Sequence, residues 1–177
     1  IELRRVARWV MWSFVEVGDG DNKRWAKMPL QTTGRYASST NPATWTDFVS
    51  VESAYQTGKF DGVGFVFSQD DNLVGIDLDD CYDHQSARFT NAAMQQLAES
   101  IDGYMEVSPS GTGVKIFTRA DLQSSHVDHS IGLEIYPKSR YFTVTGNKLE
   151  GTIPTELQDL TAHVPARNID RHSDDEF

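Results

Sequence analysis

An apolar run that ends in two aspartates one residue apart limits this chain more than any other stretch. Leu73, Val74, Gly75 and Ile76 lead into Asp77-Leu78-Asp79-Asp80. In an extended strand side chains alternate, so Asp77 and Asp79 project together while Ile76 and Leu78 turn the other way. Two strand steps separate their Cα atoms by roughly 6.5 Å, close enough for both carboxylates to hold one divalent cation or a close pair. A core gains nothing from two like charges on one face, because each raises the other's pKa and both resist burial. Such a strand has one face for a core and one for water or metal. The plainer alternative is an edge strand running into a solvated acidic turn at Asp79, Asp80 and Asp83.

The 177 residues suffice for one well-buried domain, and four tryptophans argue against disorder. Cys81 is the sole cysteine, so no intrachain disulfide can form, and a reducing cytoplasmic setting is expected. No apolar stretch approaches the ~20 residues that cross a bilayer, so no membrane partner is expected. Nothing at the N-terminus resembles a signal peptide. A first residue of Ile rather than Met fits a piece of a longer protein. The net charge of −10 speaks against nucleic acid until its distribution is considered. Residues 1–40 carry +3 and the remainder −13, a basic flank beside an acidic body. That division suits an enzyme whose acids hold cations and whose other wall meets phosphates; a solvated charged loop is the equal alternative.

Hydrophobic periodicity predicts a first strand over 9–17, a turn over Gly18–Asn22 and a return strand from Trp25 to Pro29. Asn41-Pro42 reads as a helix start, with the helix running through Trp45 and Phe48 to Tyr55 and stopped by Gly58. Strands are expected at 62–67 and 73–78. A second helix is expected over roughly 86–101, on a stripe of Phe89, Ala93, Leu97 and Ile101. Further strands are expected at 104–107, 114–118, 132–136 and 141–145, then a short helix over 155–163. The economical reading is one α+β domain over residues 1–163, with 164–177 as a polar, mobile tail.

Two more segments carry chemistry. Ser108-Pro109-Ser110-Gly111-Thr112-Gly113-Val114-Lys115 joins two predicted strands. Its small residues let backbone N–H groups point at an anion, Ser110 and Thr112 add hydroxyls, and Lys115 adds charge. The spacing is not that of a Walker loop, and a strand rather than a helix follows; a Gly-rich hairpin with a chance lysine is the other reading. In Leu133-Glu134-Ile135-Tyr136, Glu134 is the one charge of an apolar strand, costly unless paired or bound to metal. Arg140, at the start of the next strand, either clamps a phosphate or neutralises Glu134.

Taken together, the Asp-x-Asp strand, the Ser-Gly-Thr-Gly-x-Lys loop and the apolar-Glu strand followed by Arg-Tyr-Phe-Thr resemble the catalytic core of the archaeo-eukaryotic primase superfamily. More narrowly, the chain resembles the primase-polymerase domain of phage and plasmid replication proteins. Lys27-Met28-Pro29, Gly34–Ser39, Thr44-Trp45 and Gly62–Phe67 add to the likeness, which spans roughly residues 5–150 in the family's order.

The resemblance implies an RRM-like unit bearing the carboxylates and a second small α/β unit, with a cleft between them. It implies Asp77, Asp79 and Glu134 as catalytic ligands of two Mg²⁺ or Mn²⁺ ions about 4 Å apart; oxygen ligands favour these hard cations. Ser110, Gly111, Thr112, Gly113, Lys115 and Arg140 would bind the nucleotide's phosphates, and Lys27, Ser38 and Ser39 would touch DNA or nucleotide, as would Arg4, Arg5 and Arg8. The implied activity is template-directed addition of NTPs or dNTPs to a 3′-hydroxyl, with DNA template and primer as partners, in a bacterial or archaeal host cytoplasm. A helicase domain or subunit is the implied companion. One departure stands out: Lys115 occupies the place of the family's usual histidine, keeping a positive donor but not one that titrates near neutral pH. Cys81-x-x-His84 and His126-x-x-His129 have zinc-ligand spacing, but about forty residues separate them, and zinc is not expected. The competing functions are a metal-dependent nuclease and a degenerate nucleotide- or single-strand-binding module.

Overall fold

A computed structural model describes residues 2–164. Residues 165–177 of the expected tail lie outside the described residues. Two antiparallel sheets and two short helices make an α+β fold. No helix among the described residues is long and apolar enough to cross a membrane.

The first sheet is built from β1 (Trp9–Val17), β2 (Arg24–Leu30), β3 (Gly62–Phe67) and β11 (Arg140–Val144), in the order β11-β3-β1-β2. The second contains β4 (Leu73–Leu78), β7 (Tyr104–Val107), β8 (Val114–Arg119), β9 (His126–Asp128), β10 (Leu133–Tyr136) and β12 (Lys148–Glu150), in the order β12-β7-β8-β4-β10-β9. A separate two-stranded ribbon pairs β5 (Tyr82–Asp83) with β6 (Arg88–Phe89). The helices are α1 (Phe48–Tyr55) and α2 (Ala92–Glu99).

Alternation along the six-stranded sheet sends Val74, Ile76, Leu78, Met105, Val107, Val114, Ile116, Leu133 and Ile135 to one face, where they pack with Met94 and Ala98 of α2 and with Ile101 just beyond it. The opposite face carries two cross-strand rows. One is Tyr104–Phe117–Gly75–Tyr136 and the next is Glu106–Lys115–Asp77–Glu134. The first row meets the four-stranded sheet in a second core with Trp9, Met11, Phe65, Phe67 and Phe142. Phe67 and Phe142 stand edge to face with ring centroids 4.9 Å apart. Both rings rest against Gly75, where any Cβ would overlap them. A glycine in mid-strand thus lets the sheets close at the residue two before Asp77.

The chain crosses from the first sheet to the second after β11. Glu106, fully buried, accepts the backbone N–H groups of Thr145 (2.8 Å) and Gly146 (3.0 Å) and the hydroxyl of Tyr104 (3.0 Å). Its carboxyl pKa is raised by burial, against the opposing pull of these donors.

Several expectations need correction. The helix begun at Asn41 stops after one 3-10 turn, Pro42–Thr44, because Thr46 bridges to Trp9 through paired 2.9 Å backbone bonds. Asp47 then caps α1 anew, accepting from the Ser50 N–H. The second helix starts at Ala92, capped by Asn91, not near Ser86. Asp83 accepts from the Gln85 N–H and the Ser86 hydroxyl, and Ala87 has φ +54, so a ribbon turn replaces the helix start. Ala93, expected on the buried stripe, is exposed, while Met94 and Ala98 are buried. The expected helix over 155–163 is a 3-10 turn at Thr161–His163. Gln158 is held extended instead, its backbone bonded to Arg119 (2.8 Å) and its side chain to Asp102 (2.8 Å). Strands β9 and β12 were not anticipated.

Gly75→Ala should lower stability by about 1–3 kcal/mol by displacing Phe67 and Phe142, read as a lower urea midpoint with unchanged slope. A midpoint equal to wild type would mean the rings do not depend on this contact.

Candidate active site

Register places Asp77 directly opposite Glu134 on one side and Lys115 on the other. Directly opposed residues in antiparallel strands have Cβ atoms about 5 Å apart. Lys115, only 6% exposed, donates to Asp77 Oδ2, and its ammonium sits 4.4 Å from the centroid of Phe142. Asp77 Oδ1 is buried and has no hydrogen-bond partner. A buried carboxylate oxygen without a donor is an expensive arrangement.

Asp79 lies just past the end of β4 with an exposed side chain. Its backbone N–H donates to the Gly132 carbonyl at 2.8 Å, which anchors it to the start of β10. Gly132 has φ +71, and a Cβ there would come within 2.9 Å of the Asp79 carbonyl oxygen, so this position requires glycine. The Asp79 carboxyl pKa is raised, first by desolvation and then by Asp77, with Glu134 and Asp80 adding to it. Four acidic groups therefore share one field.

Glu134 accepts from the Tyr136 hydroxyl at 2.9 Å, and Arg140 and His129 each lie 3.7 Å from one of its oxygens. Burial pushes the Tyr136 hydroxyl up to about 12, so it stays a donor. Arg140 also stacks over the Tyr136 ring at 4.8 Å. Arg140 thus neighbours Glu134, with its guanidinium half-exposed.

The 108–113 loop connects β7 to β8 beside Asp79. Its hydroxyls form a chain, Ser108 to Ser110 at 2.9 Å and Ser110 to Thr112 at 3.0 Å. The expectation that its amides point at an anion is corrected. The N–H of Ser108 bonds Gly113, that of Gly111 bonds Ser108, and those of Thr112 and Gly113 bond the Ser110 and Ser108 hydroxyls. The outward groups are the exposed Ser110 and Thr112 side chains.

Lys27, on β2 of the other sheet, feels the charges of the site. Its pKa is lowered by desolvation and by Lys115, and raised in opposition by Asp77 and Asp79, so it shares their surroundings. Ser39 donates to the Ser139 carbonyl at 3.0 Å, beside Arg140. The Ser38 hydroxyl pairs with Thr40 and its carbonyl takes the Trp45 indole N–H. Arg8 is drawn elsewhere, into an ion pair with Asp71, and Arg4 lies over Phe48. Sequence reasoning missed Glu106 and the Tyr136 hydroxyl. Glu106 repeats the signal that exposed Glu134, a lone acid in a short apolar strand.

Asp77, Asp79 and Glu134 supply hard oxygen donors, and the donorless Asp77 Oδ1 fits a divalent ion. Among the described residues no three His, Cys, Asp or Glu side chains are gathered as a ready cage; Lys115 and Tyr136 hold oxygens that a cation would take. Cys81 is turned inward, its thiol on the Leu78 carbonyl at 3.3 Å and pushed up to about 11 by burial. It does not meet the three histidines as a zinc set among the described residues. Two cavities, of about 350 and 150 Å³, border Tyr104 and Gly146 and are not lined by the three carboxylates.

No family model matches the sequence. A curated relative does: a DNA primase-polymerase of Nitratiruptor phage NrS-1, 32% identical over 165 residues. The match covers 90% of this chain and 22% of the phage protein, so the chain spans about a fifth of that relative's length. Over nine-tenths of its length, then, this chain is related to a segment of a primase-polymerase, the group that its motifs resemble.

Proposed function

We propose that this chain is the nucleotide-adding domain of a phage or plasmid DNA primase-polymerase. It would extend a 3′-hydroxyl with NTPs or dNTPs on a DNA template. The observation that carries this reading is Glu134 standing opposite Asp77 in the sheet register, with Asp79, just past the strand end, feeling the charge of both. Three carboxylates from two adjacent strands would hold a pair of Mg²⁺ or Mn²⁺ ions. When bound, the ions would lower the pKa of the attacking hydroxyl and stabilise the departing pyrophosphate.

The protein's own part is positioning. Lys115 beside Asp77 and Arg140 beside Glu134 would meet a triphosphate, with Lys27 adding to the positive field. The Ser110 and Thr112 hydroxyls face outward beside Asp79 to meet phosphate oxygens or ribose. Tyr136 holds Glu134 from within the strand, fixing one carboxylate oxygen while the other stays available. On this reading the six-stranded sheet with α2 would be the RRM-like unit, and the four-stranded sheet the second wall of a cleft. DNA, a helicase companion and a bacterial or archaeal host cytoplasm complete the proposal, in keeping with the phage origin of the relative.

Asp79→Asn removes charge from the most exposed of the three ligands. It should cut primer extension at least about a hundredfold, since even outer partners of metal ligands cost 10- to 100-fold, while thermal unfolding stays near wild type. Labelled primer-template with Mn²⁺ and dNTPs reads the outcome: growth of the primer supports polymerisation, shortening supports a nuclease. Wild-type extension by the variant would end the proposal.

Lys115→Met strands Asp77 beside Glu134 without a cation, and should cost about 3 kcal/mol. The urea midpoint in EDTA would fall accordingly, and Mn²⁺ should restore part of the loss. Equal midpoints in EDTA would contradict the pairing.

A further inference from the structure

In a chain of net charge −10, residues 22–46 carry four basic residues and no acidic one. This window contains β2 and the loop that follows it. Lys23 is paired with Glu16 at 3.0 Å, whereas Arg24, Lys27 and Arg35 make no ion pair among the described residues. The same window holds the most solvent-exposed tryptophan of the described chain. Trp25 is 68% exposed, against 2% for Trp9 and 5% for Trp12.

Strand alternation and register put Trp25 and Lys27 on one face of β2, with Phe14 directly across from Lys27 and Glu16 across from Trp25. Phe14 is 48% exposed and stands edge to face with Trp12 at 5.3 Å. An aromatic stripe therefore runs along the hairpin from Trp25 through Phe14 and arrives at Lys27. Lys27 in turn shares the field of Asp77, Asp79 and Lys115. Two acids beside the stripe are already engaged: Glu16 by Lys23, and Asp61 by the Phe14 backbone N–H at 2.8 Å.

Two exposed rings without a core to serve, set in a locally basic strand and continuous with a proposed phosphate-handling site, have the chemistry of a single-strand platform. Bases of any sequence stack on aromatic faces, and the nearby cations meet the phosphates. β2 and the loop after it hold no acid over residues 22–46, which suits a polyanion. We propose that the exposed face of the β1–β2 hairpin, through Trp25 and Phe14, holds a single DNA strand that runs to Lys27 and the carboxylates. This inference rests on the function proposed above and names where its template lies.

The test is binding of a short fluorescein-labelled oligothymidylate to the full chain, followed by anisotropy at low salt in EDTA. Phe14→Ala/Trp25→Ala should weaken binding about tenfold or more, Trp25→Phe should keep most of the affinity, and Val49→Ala, an exposed apolar residue of α1, should leave it unchanged. Titration with unlabelled oligonucleotide should quench Trp25 fluorescence in the wild type, and that quenching should vanish in Trp25→Phe. Unchanged affinity in the double variant, together with unquenched Trp25, overturns the inference. If that variant also extends primers normally, the proposed function survives without the platform. If wild type neither binds the oligonucleotide nor extends a primer, both fall. A wild-type dimer that the double variant dissolves, with DNA binding intact, would give the stripe to a second copy and likewise overturn it.

Discussion

Everything at the candidate site depends on one row of charges laid across four antiparallel strands: Glu106, Lys115, Asp77 and Glu134. Three acids in a row would repel one another, and Lys115 between two of them makes the row tolerable. The row exists because the next one along the strands is apolar. Tyr104, Phe117, Gly75 and Tyr136 pack with Phe67 and Phe142 of the other sheet, so the charges stand one row beyond that apolar contact. Burial fixes the register, and register fixes the chemistry: a slip of one residue would turn Asp77 toward α2 and Ile76 toward the site.

This division of labour explains why Asp77 and Asp79 differ. Asp77 lies inside β4, held by Lys115 and left with one oxygen lacking a donor. Asp79 lies past the strand end, tied by its backbone to Gly132 and exposed in its side chain. One is preorganised and the other has room to turn. The opposing sheet contributes Lys27 from an edge strand and Ser39 from the loop beyond it, so the site draws on both sheets. Glu106 serves that union from below, since its grip on the Thr145 and Gly146 amides holds the chain where it passes from one sheet to the other.

Strands were legible in the sequence where a short apolar run is bounded by turn residues. Trp9–Val17, Gly62–Phe67 and Leu73–Leu78 are such runs, buried along much of their length, and Asp77, Asp79 and Glu134 were legible because acids in apolar strands demand a reason. Helix starts were less legible. The Asn41-Pro42 signal is real, but the pairing of Thr46 with Trp9 overrides it, a tertiary bond that no local pattern announces. Likewise Phe89 fits a helical stripe on paper, yet it pairs with Tyr82 in a ribbon with ring centroids 5.4 Å apart. Strands β9 and β12 are three residues each, too short for alternation to register. The places of Glu106 and Lys27 beside Lys115 depend on cross-strand and cross-sheet contacts, which sequence spacing does not encode.

The central claim is that Asp77, Asp79 and Glu134 share divalent ions beside a nucleotide. A crystal of this chain grown with Mn²⁺ and a dNTP, measured at the manganese edge, tests it directly. Anomalous density bridging these three side chains and the triphosphate, with Lys115 moved from Asp77 toward a phosphate or retained at its flank, is the predicted result. A bound nucleotide whose manganese is held away from Asp77 and Glu134 would contradict the account.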